Sequence, residues 1–118
     1  MNRFIAYINT RRPEAIEHAI GLLGWLEELG NICHFAPESA VAIGRPELAI
    51  EETDITSDFK LAISLGGDGS VLRTVTAVSG HEIPVLGINF GRIGYLSGVD
   101  PSLSRQRINQ FLEGDFYL

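Results

Sequence analysis

The sequence contains little cysteine, little positive charge and no long hydrophobic run. Cys33 is the only cysteine among 118 residues, which excludes an internal disulfide. Nine Lys and Arg stand against fifteen Asp and Glu and form no dense cluster, so nucleic acid is not an expected partner. No apolar stretch approaches the ~20 residues of a membrane span, and no small-residue cleavage site follows the first residues. These absences predict a single-domain cytoplasmic protein with no membrane partner.

The sequence also lacks the spaced ligands of a resident metal site. Cys33 and His34 are adjacent and have no partners at zinc-ligand spacing. The polar segment 44–58 has few apolar anchors and contains five carboxylates, at Glu47, Glu51, Glu52, Asp54 and Asp58. We interpret this segment as solvated rather than metal-binding.

Strand and helix patterns alternate along the chain, as an open parallel sheet requires. Buried strands are predicted at 4–8, 32–36, 60–65 and 83–88. Helices are predicted at 13–29, 38–43, 69–79 and 100–113, with glycines ending three of them at Gly30, Gly80 and Gly114. The expected fold class is α/β, with an open, Rossmann-like parallel sheet and helices on both faces. In such a sheet the strands at 60–65 and 83–88 end on the same edge.

Apolar spacing predicts which side of each helix is buried. In the first helix the stripe comprises Ile16, Ala19, Ile20, Leu23 and Leu26. In the third it comprises Val71, Leu72, Val75 and Val78. His18 and His81 have no catalytic partner nearby in sequence and are expected at the surface.

A glycine turn at 66–70 directly follows the apolar run 61–65. Glycines let the backbone pass close to a ligand and adopt positive φ, and a helix starting at Ser70 would point free N–H groups at the same place. Asp68 is a poor phosphate ligand unless a cation bridges the two or its carboxylate accepts a proton from an attacking hydroxyl. This pattern favours phosphate chemistry, and a plain Gly-Asp-Gly turn is the alternative.

A second glycine-bearing loop, 89–96, follows the fourth predicted strand and should face the same cleft. Arg92 in this loop, and Arg73 one turn into the helix after the first loop, are candidates for charge-assisted hydrogen bonds to a phosphate. Tyr95 is a candidate for stacking on a ligand, or for simple packing.

These two loops resemble the NAD kinases, within a wider group that includes 6-phosphofructokinases and diacylglycerol kinases. Gly66-Gly67-Asp68-Gly69 alone fits any of the three. The loop 89–96 is similar to the second NAD kinase motif: Asn, one residue, Gly, two residues, Gly, aromatic, Leu. Ser70 stands where the family usually has Thr, and Tyr95 where it usually has Phe. The resemblance covers nearly the whole chain.

The resemblance implies a phosphofructokinase-like sheet and transfer of a phosphoryl group, from ATP or polyphosphate with Mg²⁺, to the adenosine 2′-hydroxyl of NAD. Asp68 would be the catalytic carboxylate. The implied ligand-binding residues are Gly66, Gly67, Gly69, Ser70, Leu72, Arg73, Asn89, Arg92, Gly94 and Tyr95. Residues 1–118 would form the N-terminal α/β domain of a homo-oligomeric enzyme. The family's C-terminal β domain is absent from this chain, so we expect the fragment alone to be inactive.

Two alternatives stay open. The chain is a nucleotide-binding domain without activity of its own, or it belongs to a related kinase of a sugar phosphate or a lipid. The second loop argues against the sugar-phosphate and lipid kinases, which should not need that pattern.

Overall fold

The computed structural model describes residues 1–90 and 98–114, in which strands and helices alternate as predicted. The strands are β1 (Arg3–Ile8), β2 (Ile32–Phe35), β3 (Leu61–Gly66) and β4 (Val85–Asn89). The helices are α1 (Pro13–Glu28), α2 (Pro37–Ala42), α3 (Asp68–Ala77) and α4 (Ser104–Leu112), with short 3₁₀ turns at Pro46–Leu48, Glu52–Asp54 and Pro101–Leu103. Gly30, Gly80 and Gly114 have positive φ and end α1, α3 and α4, as predicted.

The four strands form one parallel sheet in the order β2-β1-β3-β4. β1 and β3 are the two central strands. From β1 the chain continues to β2 on one side, and from β3 it continues to β4 on the other side, so the strand order reverses between β1 and β3. Open sheets of this kind bind ligands at such a reversal, outside the carboxyl ends of the strands.

Both faces of the sheet are buried, which explains why β3 is a continuous apolar run. On one face, Phe4 and Ile63 pack with residues of α1 and with Ile108 of α4. On the other face, Ile5 and Ala62 pack with the end of α3. The expected α/β sheet with helices on both faces is therefore confirmed.

The buried faces of α1 and α3 differ from the predicted stripes. Ile20 is half exposed, and Leu22 takes its place in the core. In α3, Leu72 is 58% and Val75 is 47% exposed, whereas Thr74 is fully buried. The Thr74 hydroxyl donates to the Ser70 carbonyl at 2.8 Å, so this polar residue faces the sheet with its hydrogen bond made inside the helix.

His18 is half-buried at the surface, where it packs between α1 and α4. Its Nε2 lies 2.8 Å from the Ser104 hydroxyl, and its ring meets the edge of Phe90 at 5.4 Å. The segment 44–58 exposes its carboxylates as predicted, and Ile55 anchors it in the core on the α3 side. Within the described ranges, no helix is long and apolar enough to cross a bilayer.

Candidate functional site at the carboxyl edge of the sheet

The loops after β1, β3 and β4 adjoin at one edge of the sheet. The Asn9 N–H donates to the Leu65 carbonyl at 2.8 Å, and the Phe90 N–H donates to the Gly66 carbonyl at 2.7 Å. Gly66 and Asn89 are also direct partners in the register of β3 and β4. The expectation that the two glycine-bearing loops begin on the same edge is therefore confirmed, and a third loop, after β1, joins them.

The glycine turn differs from its prediction in backbone conformation. Gly66, Gly67 and Gly69 all lack positive φ, and Gly67 is extended, with φ −127° and ψ −158°. Helix α3 begins at Asp68, one residue before the predicted start at Gly69. The first free N–H groups of the helix therefore belong to the turn itself, and the Asp68 carboxylate in the first turn is favoured by the helix dipole.

The glycines of this turn are explained by the absence of a side chain rather than by positive φ. A Cβ at Gly66 would lie 2.9 Å from Asn9 Cβ and from Ser70 Cβ, and would collide with the Ser70 hydroxyl. A Cβ at Gly67 or Gly69 would meet nothing within 4 Å. Gly66 therefore allows three elements to converge, whereas Gly67 and Gly69 leave the backbone open to an approaching group.

Asp68 stands at the start of α3, and residues of this helical turn line two separate spaces. On the β4 side, Asp68, Val71, Asn89 and Gly98 line a small recess. Gly98 packs closely there, because a Cβ on it would lie 3.3 Å from Asn89 Cβ. The arrangement brings the predicted site residues Asp68 and Asn89 to one small space.

On the β1 side of the same helical turn lies a cleft of about 500 Å³, which we call the switch-point cleft. It lies where the strand order reverses. Gly69, Ser70 and Arg73 form its α3 wall, and the other walls come from β1, the loop after it and α2, with Tyr7, Asn9, Thr10, Arg11, Glu38 and Ser39 among them. The prediction missed this second set, although strand 4–8 of a parallel sheet must end at the same edge.

Tyr7 forms part of the cleft wall with only 6% of its surface exposed. Burial raises the pKa of Tyr7 to about 12, with Glu52 raising it further and Arg73 lowering it. The phenol is therefore a neutral hydrogen-bond donor at physiological pH.

The remaining predicted residues fall into two groups. Leu72 and Arg73 lie on the exposed side of α3, where Arg73 Nη2 is 3.9 Å from the Glu38 carboxylate. Arg92, Gly94 and Tyr95 lie outside the described residues.

The chain on either side of 91–97 is held by hydrogen bonds. Arg12 Nη1 donates to the Phe90 carbonyl at 3.1 Å. After the segment, the Val99 N–H donates to the Gly87 carbonyl at 2.8 Å, and the Asn89 N–H donates to the Val99 carbonyl at 2.9 Å. Both flanks of the second loop are therefore attached to the carboxyl edge of the sheet.

This fold and this edge define an open α/β domain of the kind that binds ligands beyond the carboxyl ends of its strands. Residues 4–116 match the family model described as the ATP-NAD kinase N-terminal domain. The chain belongs to the NAD kinase family.

Individual relatives agree with this assignment. The chain is 32% identical to the NAD kinase of Symbiobacterium thermophilum and 27% identical to that of Desulforamulus reducens, in each case over its whole length. It spans 42% and 41% of those two proteins, about two-fifths of the relatives' length. The crystal structure of yeast NADH kinase complexed with NADH superposes with a TM-score of 0.82 at 20% identity, covering 98% of this chain and 39% of the other. At that identity the match supports the fold alone.

Proposed function

We propose that this chain forms the phosphate-handling half of an enzyme that transfers a phosphoryl group from ATP or polyphosphate to the adenosine 2′-hydroxyl of NAD. The proposal applies to a protein of its relatives' length that contains this sequence. One observation carries it: Asp68 begins α3 beside the recess that contains Asn89, and the next two residues of the same helical turn, Gly69 and Ser70, line the switch-point cleft.

The switch-point cleft suits the phosphoryl donor. Its α3 wall begins at Gly69 and Ser70, in the first turn of the helix, where backbone N–H groups have no partner inside the helix and can bind phosphate oxygens. Arg11 and Arg73 line the same cleft and add positive charge from two different elements. Such transfers depend mainly on alignment and on compensation of phosphate charge, which these groups supply.

We assign the acceptor to the β4 side of the turn on the family resemblance, because the recess there measures only about 10 Å³ and does not itself hold a nucleoside. Asn89 borders this recess together with Asp68, and the family resemblance places Asn89 and Tyr95 on the adenosine side of the cleft. With donor and acceptor on opposite sides of one helical turn, the transferred group passes the Asp68 carboxylate.

Asp68 would orient the 2′-hydroxyl and accept its proton. As the bond from the hydroxyl oxygen to phosphorus forms, the bond to the donor's leaving phosphate oxygen breaks. The carboxylate belongs to a partly buried residue in the first turn of α3. Positioning within hydrogen-bond reach is the main requirement for this role.

Mg²⁺ would neutralise donor phosphates, and kinase sites hold it through one or two carboxylates and the substrate phosphates. Arg11 and Arg73 act on the phosphate chain independently of the cation.

The test is Asp68→Asn in a protein of full family length. We expect turnover of NAD to fall by about two or more orders of magnitude, the loss typical of a removed general base, with an unchanged circular dichroism spectrum. Asp54→Asn is the matched control, because Asp54 is exposed and lies outside both recesses. Near-normal turnover of the Asp68 variant would refute the assigned role.

A binding domain without catalysis is the second candidate for the isolated 118 residues. It is favoured by the chain's coverage of about two-fifths of its relatives, because half a cleft holds an incomplete substrate site. Calorimetry with NAD on this chain separates the two. Weak or absent binding fits a requirement for further residues, whereas affinity comparable to that of a whole enzyme contradicts it.

A further inference from the structure

Glu38 and Arg73 meet across the switch-point cleft. Glu38 comes from the first turn of α2 and Arg73 from α3, and both line the cleft that also contains Ser70 and Arg11. The guanidinium lies 3.9 Å from the carboxylate, and the two side chains are 63% and 69% exposed. The ion pair therefore joins two elements that the cleft separates.

A carboxylate in this position opposes the binding of phosphate. Its negative charge repels an anion in the cleft, and it shares the cation that would attract one. Arg73 also borders an adjoining cavity lined by Glu51 and Glu52, so its surroundings are acidic on both sides. Arg73 is thus drawn toward carboxylates whenever no phosphate is bound.

We propose that Glu38 competes with the donor's phosphate chain for Arg73 and thereby limits donor affinity. The inference rests on the proposed function, because it takes the switch-point cleft as the donor site. An exposed ion pair at the outer limit of contact distance is weakly held. The carboxylate lies too far from the guanidinium, at 3.9 Å, for two parallel N–H bonds, whereas a phosphate bound in the cleft can accept both and so displaces it.

The experiment measures binding of tripolyphosphate and of Mg-ATP by calorimetry to a protein of full family length that contains this sequence. Glu38→Gln should tighten both about threefold to tenfold, the size expected for one nearby charge in a solvated cleft. Glu47→Gln removes the same charge from an exposed residue that pairs with Arg45 outside the cleft, and it should leave both affinities unchanged.

A double-mutant cycle with Arg73→Gln tests whether Glu38 acts through Arg73. Arg73→Gln alone should weaken binding. In that background Glu38→Gln should lose most of its effect, because the cation for which the two anions compete is gone.

Several results would overturn the inference. Unchanged affinity in Glu38→Gln, equal tightening with and without Arg73, or tightening for Mg-ATP alone would each exclude competition for the guanidinium by the phosphate chain. Weaker binding of Mg-ATP alone would instead assign Glu38 to the bound cation and exclude the competition. If neither ligand binds to wild type or any variant, the donor-site assignment falls as well. If wild type binds the ligands and Glu38→Gln binds them equally well, the inference about Glu38 is wrong but the donor-site assignment stands.

Discussion

Gly66 and Gly67 are adjacent, and the structure predicts opposite consequences for replacing each with alanine. At Gly66 the new methyl would lie 2.9 Å from both Asn9 Cβ and Ser70 Cβ, which are fixed to separate elements. Overpacking of this kind costs about 1–3 kcal/mol. Alanine also reduces the conformational entropy of the unfolded chain, which stabilises the folded state by about 0.4–1 kcal/mol. The net expectation for Gly66→Ala is a loss of about 1–2 kcal/mol.

Gly67→Ala should leave stability nearly unchanged. The extended backbone at Gly67 suits any residue, and a Cβ there meets nothing within 4 Å. Alanine lowers the entropy of the unfolded chain, which stabilises the variant, but it is a poorer helix N-cap than glycine, which destabilises it. Each effect is about 1 kcal/mol or less, so the two largely cancel. The methyl would instead project where the turn is open to ligand, so phosphate binding should weaken.

Urea unfolding together with calorimetry on tripolyphosphate separates the two glycines. With a denaturant slope of about 1–2 kcal/mol/M, Gly66→Ala should lower the midpoint by roughly 1 M. Ser70→Ala should restore only part of this loss, because Ser70 Cβ remains in contact range. Equal midpoints for the two alanine variants would refute the packing argument. Undiminished phosphate binding by Gly67→Ala would refute the assignment of the open turn to the ligand.

Two further predictions concern titratable groups in the core. Burial raises the pKa of the Cys33 thiol, and the nearby Glu27 carboxylate adds to the effect. A disulfide reagent should therefore label Cys33 only after the protein unfolds. Rapid labelling of the native chain would contradict its burial. Burial and Arg105 lower the pKa of His18, so the native state resists its protonation and stability should decline as pH falls through about 6.5, the unfolded value. Urea midpoints measured between pH 7.5 and 5.5 should decline less in His18→Gln, and an identical decline would exclude His18 as a source.

Much of the fold was predictable because the strands are buried on both faces and are punctuated by glycine. The run 61–65 could be identified as a buried strand from its composition, and Gly30 marked the end of α1. The face of α3 was not predictable in this way. Thr74 can be buried because its hydroxyl donates a hydrogen bond within the helix, whereas Leu72 and Val75 are exposed. The spacing of apolar residues predicts neither of these positions.

The candidate site was predictable only in part. Motifs indicated Asp68 and Asn89, and the structure places both beside one recess. Glu38 and Arg11 belong to no motif that sequence reasoning singled out, and they enter the switch-point cleft through the position of α2 and the loop after β1. Which side chains from other elements complete a cleft depends on packing that one sequence does not specify.

The central claim is that the turn at the head of α3 receives the phosphates of a donor, and amide chemical shifts measure this directly. Titration of the ¹⁵N-labelled chain with tripolyphosphate should shift the amides of Gly67, Gly69 and Ser70 most. The amides of Arg3 and Lys60, at the opposite edge of the sheet, should stay in place. Shifts centred on that opposite edge, or none in the glycine turn at saturating ligand, would contradict the account.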